Sequence, residues 1–158
     1  MTKTHQKHIT QNRKLKFKYQ NMTNLEFKDI RWKQRFENYK KALAQLQVGL
    51  KIEKPSQIEE QGIIKSFEFT FELGWKTMKD YLESQGLEVN FPREVIKTAF
   101  EYELIQNGEA WLSMLDKRNL LSHVYDQKQA LIALTLISKE FIQNLEELQK
   151  TLMTKINE

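Results

Sequence analysis

The sequence of 158 residues has no cysteine, only five glycines and two prolines, and no apolar run of the roughly 18 residues that span a bilayer. Without cysteine, disulfides, thiolate zinc sites, iron–sulfur clusters and thiol nucleophiles are excluded. So few turn-forming residues disfavour a β-sandwich. The N-terminus is polar and lacks the apolar stretch of a secretory signal, so we expect a cytoplasmic protein without a membrane partner.

Positive charge is concentrated at the N-terminal end. The formal net charge is +4, yet residues 1–25 contain six basic residues and no acidic one, whereas residues 26–158 hold 19 basic and 21 acidic residues. We therefore predict two parts, a flexible basic arm at 1–26 and one helical domain at 27–158. The arm either contacts RNA or is a plain disordered extension, and Met22 offers an alternative translation start. The net charge by itself does not indicate a nucleic-acid-binding domain.

Apolar residues recur every three or four positions from Phe27 onward, the spacing of amphipathic helices. We predict helices at about 27–53, 57–85, 92–106, 109–123 and 127–154. Long amphipathic helices joined by short breaks pack as a bundle. The expected fold is all-α, an up-and-down antiparallel four-helix bundle with an extra short helix.

Three features of the second predicted helix lead to separate predictions. Phe67, Phe69 and Phe71 alternate with polar residues, as in a strand, but the longer apolar stripe around them favours a helix. Gly74 lies on the apolar side, where we expect a neighbouring backbone to approach closely. Glu68 and Glu72, one turn apart, are interpreted as a solvated face without a catalytic role.

The usual catalytic signatures are missing from this sequence. It has no glycine-rich phosphate loop and no H-E-x-x-H motif, and only one of its three histidines, His123, lies outside the predicted arm. A zinc site inside the domain is therefore improbable. We expect no metal and no cofactor.

One short segment does concentrate reactive groups, at the predicted end of the fourth helix. Arg118, Asn119, Ser122, His123 and Tyr125 fall within eight positions. Arginine suits a phosphate, histidine transfers protons near neutral pH, and asparagine can orient either group. Together they could cleave RNA without a metal. Arg118 and His123 are offset by roughly 140° on a helix, so they converge best if the last turn unwinds or a second subunit supplies one partner.

A structural interpretation of the same segment stays open. Basic residues near a helix C-terminus interact favourably with the helix dipole, by about 0.3–1 kcal/mol each. In that case the domain is a plain helical scaffold, and Arg118→Ala would lower stability without changing any activity.

The segment RNLLSHVY at 118–125 resembles the R-x4-H-x-Y motif of HEPN domains (higher eukaryotes and prokaryotes nucleotide-binding). With IKSFEFTFELGWK at 64–76, PREVIK at 92–97 and Trp111, it looks like the nucleotidyltransferase substrate-binding protein family, over about residues 27–154. The resemblance implies a helical homodimer and a small nucleotidyltransferase partner encoded by a neighbouring gene, often as a toxin–antitoxin pair.

The resemblance also implies roles for individual residues. In a metal-independent RNase toxin, Arg118, Asn119 and His123 would be the catalytic residues. Tyr125 would be the tyrosine that the partner adenylylates with AMP from ATP, which silences the toxin. The older family name implies a different role, a subunit that holds a nucleotide or substrate for the nucleotidyltransferase and cleaves nothing.

Overall fold

The computed structural model describes residues 9–13, 15–16 and 22–158, and only the backbone of Ser122. Residues 24–156 form helices joined by short connections, with no strand in the described residues. The elements are α1 (Asn24–Leu50), α2 (Gln57–Ser84), α3 (Pro92–Glu101), α4 (Gly108–Ser122), α5 (Gln127–Leu136), a π-helical turn (Ile137–Phe141) and α6 (Ile142–Ile156). The predicted all-α class is confirmed, and α2 is helical through Phe67–Phe71.

The predicted arm lies mostly outside the described residues. Its described parts, 9–13 and 15–16, are helical and exposed, and α1 begins at Asn24, slightly before the predicted domain start at Phe27. The division into an arm and a domain therefore stays a prediction.

Polar caps explain where α1, α2, α4 and α5 begin. The Oγ1 of Thr23 accepts the Glu26 amide at 3.2 Å, and the Glu26 carboxylate accepts the Thr23 amide at 2.6 Å. Ser56, the residue before α2, forms the same reciprocal pair of hydrogen bonds with Glu59. Asn107 and Asp126 cap α4 and α5 by accepting the amide three residues later, at 3.0 and 2.8 Å. Such caps satisfy first-turn amides that have no carbonyl partner within the helix.

The third helix is shorter than the sequence predicts. It ends at Glu101, and Glu103 then adopts a left-handed backbone conformation with φ of 58°. Asn107 and Gly108, which the sequence suggests as the end of this helix, instead cap and begin α4. A left-handed residue cannot continue a right-handed helix, so the chain turns five residues before the predicted end.

The last predicted helix is interrupted by the π-helical turn at Ile137–Phe141. Ile137 and Phe141 are both buried and lie four positions apart, so the apolar spacing runs through the turn unchanged. A π turn holds one extra residue, a change that apolar spacing alone does not reveal.

The helices pack around one aromatic-rich core. Near the start of α1, Arg31 pairs with Asp80 near the end of α2 at 3.1 Å, which identifies α1 and α2 as antiparallel neighbours. The Tyr39 hydroxyl donates to the backbone carbonyl of Leu145 at 2.6 Å and joins α1 to α6. None of the helices in the described part of the chain is both long and apolar enough to cross a membrane.

Gly74 marks the contact between α2 and α4. A Cβ at this position would meet Trp111 Cη2 at 3.0 Å and Tyr39 Cε2 at 3.2 Å. Both rings are fully buried, and Phe71 lies 5.9 Å from Trp111 between ring centroids. The predicted close approach is therefore present, but it is made by two aromatic rings and not by a neighbouring backbone. This contact sets the position of α4, whose far end carries the candidate site.

Candidate functional site

The predicted site residues lie where α4 ends and α5 begins, a segment that we call the α4–α5 junction (118–126). Helix α4 ends at Ser122, because His123 leaves helical geometry with φ of −111° and ψ of 42°. Val124 is buried, and its carbonyl accepts a hydrogen bond from Gln61 of α2 at 3.3 Å. The junction is thus anchored in its middle while the polar side chains on either side of Val124 stay accessible.

Arg118 is half-buried and faces α2. Its Nη1 lies 3.7 Å from Oε2 of Glu72. The same Glu72 oxygen accepts a hydrogen bond from the Trp75 indole nitrogen at 2.5 Å, and the Nζ of Lys76 lies 3.9 Å from the other oxygen. The pairing of Arg118 with Glu72 could not be predicted from the sequence, because no spacing rule links side chains on two different helices.

His123 and Tyr125 contact each other directly. The Nδ1 of His123 lies 3.1 Å from the Tyr125 hydroxyl, and both side chains are exposed, Tyr125 by 83%. The Tyr125 amide donates to the side chain of Gln129 at 3.3 Å. This contact uses Nδ1 and does not engage Nε2, which lies on the other side of the ring.

A groove of about 730 Å³ runs between the end of α4 and α5. Four side chains supply polar groups to it, those of Lys117, Asn119, His123 and Gln129. The rest of its lining is apolar: Leu120, Leu121, Val124, Ile132, Ala133 and Leu136. Arg118 is not among the described residues that line this groove. Within one chain the structure brings together Asn119, His123 and Tyr125, and it places Arg118 beside Glu72.

Apolar side chains are unusually exposed around the junction. Leu120 is 76% exposed, and Leu131 and Ile132 on α5 are more than half exposed. Exposed apolar groups clustered beside a groove are typical of a surface that binds a partner or a ligand. This surface could not be predicted from the sequence, because apolar spacing shows which face of a helix is apolar but not whether a neighbour covers it.

The side chains that could bind a metal ion are not grouped in the part of the chain that the structure describes. Among those residues, no three His, Asp or Glu side chains are grouped so that they could hold a metal ion. Arg118, Asn119, His123 and Tyr125 supply the junction with a guanidinium, an amide, an imidazole and a phenol. The expectation that no metal or cofactor takes part remains a prediction.

Comparisons with known proteins agree on one family. Residues 34–154 match the family described as "Nucleotidyltransferase substrate binding protein like". A Haemophilus influenzae protein named "Probable ribonuclease HepT" is 29% identical over 108 residues, which are 61% of this chain and 74% of that protein.

Two solved structures are also similar. The crystal structure of ttk003001694 from Thermus thermophilus matches with a TM-score of 0.63 and 31% identity, covering 76% of this chain and 99% of that one. The structure of HI0074 from Haemophilus influenzae, described as the fold of a substrate binding domain of a nucleotidyltransferase, matches with a TM-score of 0.55 and 25% identity, covering 82% and 99%.

Proposed function

The chain belongs to the nucleotidyltransferase substrate binding protein like family, and on this premise we propose that it is a metal-independent endoribonuclease of a two-component, toxin–antitoxin-like system. The other component is a small nucleotidyltransferase encoded nearby, and both act in the cytoplasm. The observation that carries the proposal is the arrangement at the α4–α5 junction, where Asn119 and His123 line one groove and His123 contacts Tyr125. The name of the Haemophilus influenzae relative, a probable ribonuclease, supports it.

The proposed reaction is an internal displacement within RNA. The ribose 2′-hydroxyl attacks the adjacent phosphorus, the 5′-oxygen leaves, and the products are a 2′,3′-cyclic phosphate and a 5′-hydroxyl. Arg118 stabilises the negative charge that develops on the phosphoryl oxygens, and Asn119 orients the phosphate. His123 acts through Nε2 as the proton-transfer group.

This reaction needs both a base for the 2′-hydroxyl and an acid for the leaving oxygen. The domain holds one histidine, so a homodimer that brings two junctions to one cleft supplies both groups and pairs each Arg118 with the His123 of the second copy. The exposed apolar side chains at Leu120, Leu131 and Ile132 support an association through this face.

Tyr125 is the proposed site of control. Its hydroxyl is exposed and lies 3.1 Å from His123, so an AMP group attached to it would place a bulky anion beside the catalytic imidazole. An RNA phosphate would then be excluded by both volume and charge. The neighbouring nucleotidyltransferase supplies the AMP from ATP.

The nuclease proposal is tested with purified protein and RNA in EDTA. We expect the wild-type protein to cleave RNA to cyclic phosphate ends and to leave a fully 2′-deoxy oligonucleotide of the same sequence intact. His123→Ala is expected to cleave at least about 100-fold more slowly, the usual contribution of a proton-transfer group. Equal cleavage by the two proteins would rule out the role of His123.

The control proposal is tested by incubating the protein with the neighbouring nucleotidyltransferase and ATP. We expect the intact mass of the wild-type protein to rise by one or more AMP groups, with loss of RNA cleavage, and the mass of Tyr125→Phe to stay unchanged. Modification of both proteins would contradict the assignment of Tyr125.

A second candidate function is a non-catalytic subunit that holds a nucleotide or substrate for the nucleotidyltransferase. The mostly apolar groove of about 730 Å³ favours it, because nucleic-acid-binding surfaces are usually basic, and residues 26–158 are slightly acidic. The description of HI0074 agrees with this role. Under this alternative the protein binds the nucleotidyltransferase, and the wild type shows no cleavage in the EDTA assay.

A further inference from the structure

Glu72 is held in place by the helix that carries it. Its Oε2 accepts a hydrogen bond from the Trp75 indole nitrogen at 2.5 Å, and Trp75 is only 8% exposed, so the indole is fixed by the core. The Nζ of Lys76 lies 3.9 Å from Oε1. A carboxylate with these two neighbours keeps a defined direction relative to α2.

This carboxylate points toward Arg118. The distance of 3.7 Å between Oε2 of Glu72 and Nη1 of Arg118 is an ion pair, formed on the face of α4 that packs against α2. An arginine side chain is long and samples many rotamers, so a half-exposed one has no fixed direction without an anchor. A guanidinium has five N–H groups and can bind a carboxylate with one edge and a phosphate with another.

We propose that Glu72 is a positioning residue that aims the Arg118 guanidinium at the phosphate to be cleaved. This inference rests on the proposed ribonuclease function. Lys76 offsets part of the charge of Glu72, so the pair orients Arg118 without cancelling its attraction for a phosphate. Glu72 itself touches neither RNA nor the reacting atoms.

The kinetic test compares Glu72→Gln with Glu68→Gln. Glu68 lies one turn earlier on α2 and pairs with Lys65 at 2.9 Å, so it controls for loss of one acidic side chain from the same helix. We expect Glu72→Gln to lower kcat for RNA cleavage in EDTA by about 10- to 100-fold with KM changed less than about two-fold. Glu72→Asp should restore part of kcat, and Glu68→Gln should behave as wild type.

A double substitution separates positioning from a general structural effect. If Glu72 acts only through Arg118, then Glu72→Gln has no further effect on kcat in the Arg118→Ala background. The inference is overturned if Glu72→Gln matches Glu68→Gln, if it raises KM alone, or if its loss of kcat is the same with and without Arg118.

Guanidinium NMR signals test the contact without relying on cleavage. We expect Arg118, assigned by its loss in Arg118→Lys, to show separate Nη resonances in the wild type and in Glu68→Gln, and averaged ones in Glu72→Gln. Averaged resonances in the wild type overturn the inference. If the wild type cleaves no RNA, the proposed function is overturned, and the NMR signals alone decide whether Glu72 orients Arg118.

Discussion

The two ends of α4 differ sharply in their surroundings. At one end Trp111 is fully buried against Gly74 and Tyr39, and at the other end Asn119 and His123 are exposed. The buried end determines where the helix lies on α2. At the second end Leu121 and Val124 reach the core, but the side chains of Asn119 and His123 contribute little to packing, so they can serve chemistry. We therefore expect substitutions at the two ends to affect different quantities, stability at the first and activity at the second.

The largest expected effect on stability is at the buried end. Trp111→Ala removes a fully buried ring, and we expect it to lower the free energy of unfolding by about 3–5 kcal/mol. Asn119→Ala, on the same helix and exposed, is the matched control and should change it by less than about 0.5 kcal/mol. Urea unfolding measures both. Similar losses for the two variants would remove the contrast between the ends.

Two glycines of α2 sharpen the comparison. A Cβ at Gly74 would press on two buried rings, whereas a Cβ at Gly62 has nothing within 4 Å. Alanine improves helix propensity at both sites by about 1 kcal/mol, but only at Gly74 does it overpack the core. We expect Gly74→Ala to be less stable than Gly62→Ala by about 1–3 kcal/mol in urea unfolding. Equal free energies of unfolding for Gly74→Ala and Gly62→Ala would mean that the Trp111 and Tyr39 rings shift to make room for the added methyl group.

Substitution of Tyr39 is expected to change the free energy of unfolding by less, and by an amount that depends on pH. Tyr39→Phe loses the hydrogen bond to the Leu145 carbonyl, which should cost about 1 kcal/mol near neutral pH. Burial, and secondarily the negative charge of Glu146, raise the pKa of Tyr39 well above its ordinary value. Above a pH of about 10 the unfolded chain releases this proton while the folded chain keeps it, so stability falls as pH rises.

The loss of folding stability at alkaline pH can be measured by urea unfolding at a series of pH values. We expect the free energy of unfolding of Tyr39→Phe to fall less steeply above a pH of about 10 than that of the wild type, by up to about 1.4 kcal/mol per pH unit. Identical slopes in the two proteins would contradict the burial of this phenol.

The smallest expected effect on stability is at the junction. Tyr125→Phe removes an exposed hydroxyl, and we expect the free energy of unfolding to change by less than about 0.5 kcal/mol in thermal and urea unfolding. A loss as large as that of Tyr39→Phe would show that the Tyr125 hydroxyl stabilises the fold, and the contrast between the two ends of α4 would then be lost.

Apolar periodicity predicts most of this fold, because most residues at its three- and four-residue spacing are buried, for example Phe36 in α1 and Leu152 in α6. The π-helical turn at Ile137–Phe141 was not predicted, since the apolar spacing continues through it. The early end of α3 depends on the left-handed conformation of Glu103, a residue type that gives no such signal.

The candidate site was predicted in part. His123 and Tyr125 are two positions apart just after the end of α4, so the sequence places them close together, but their contact was not predicted. The pairing of Arg118 with Glu72 and the groove between α4 and α5 depend on how helices pack against each other. No spacing along one helix contains that information.

One paired measurement tests the central claim most directly: the RNA cleavage rate in EDTA and the free energy of unfolding, both determined on wild type and His123→Ala. The account predicts that cleavage falls at least about 100-fold while the free energy of unfolding changes by less than about 0.5 kcal/mol. Undiminished cleavage by His123→Ala, or a large loss of stability accompanying the lost cleavage, would contradict it.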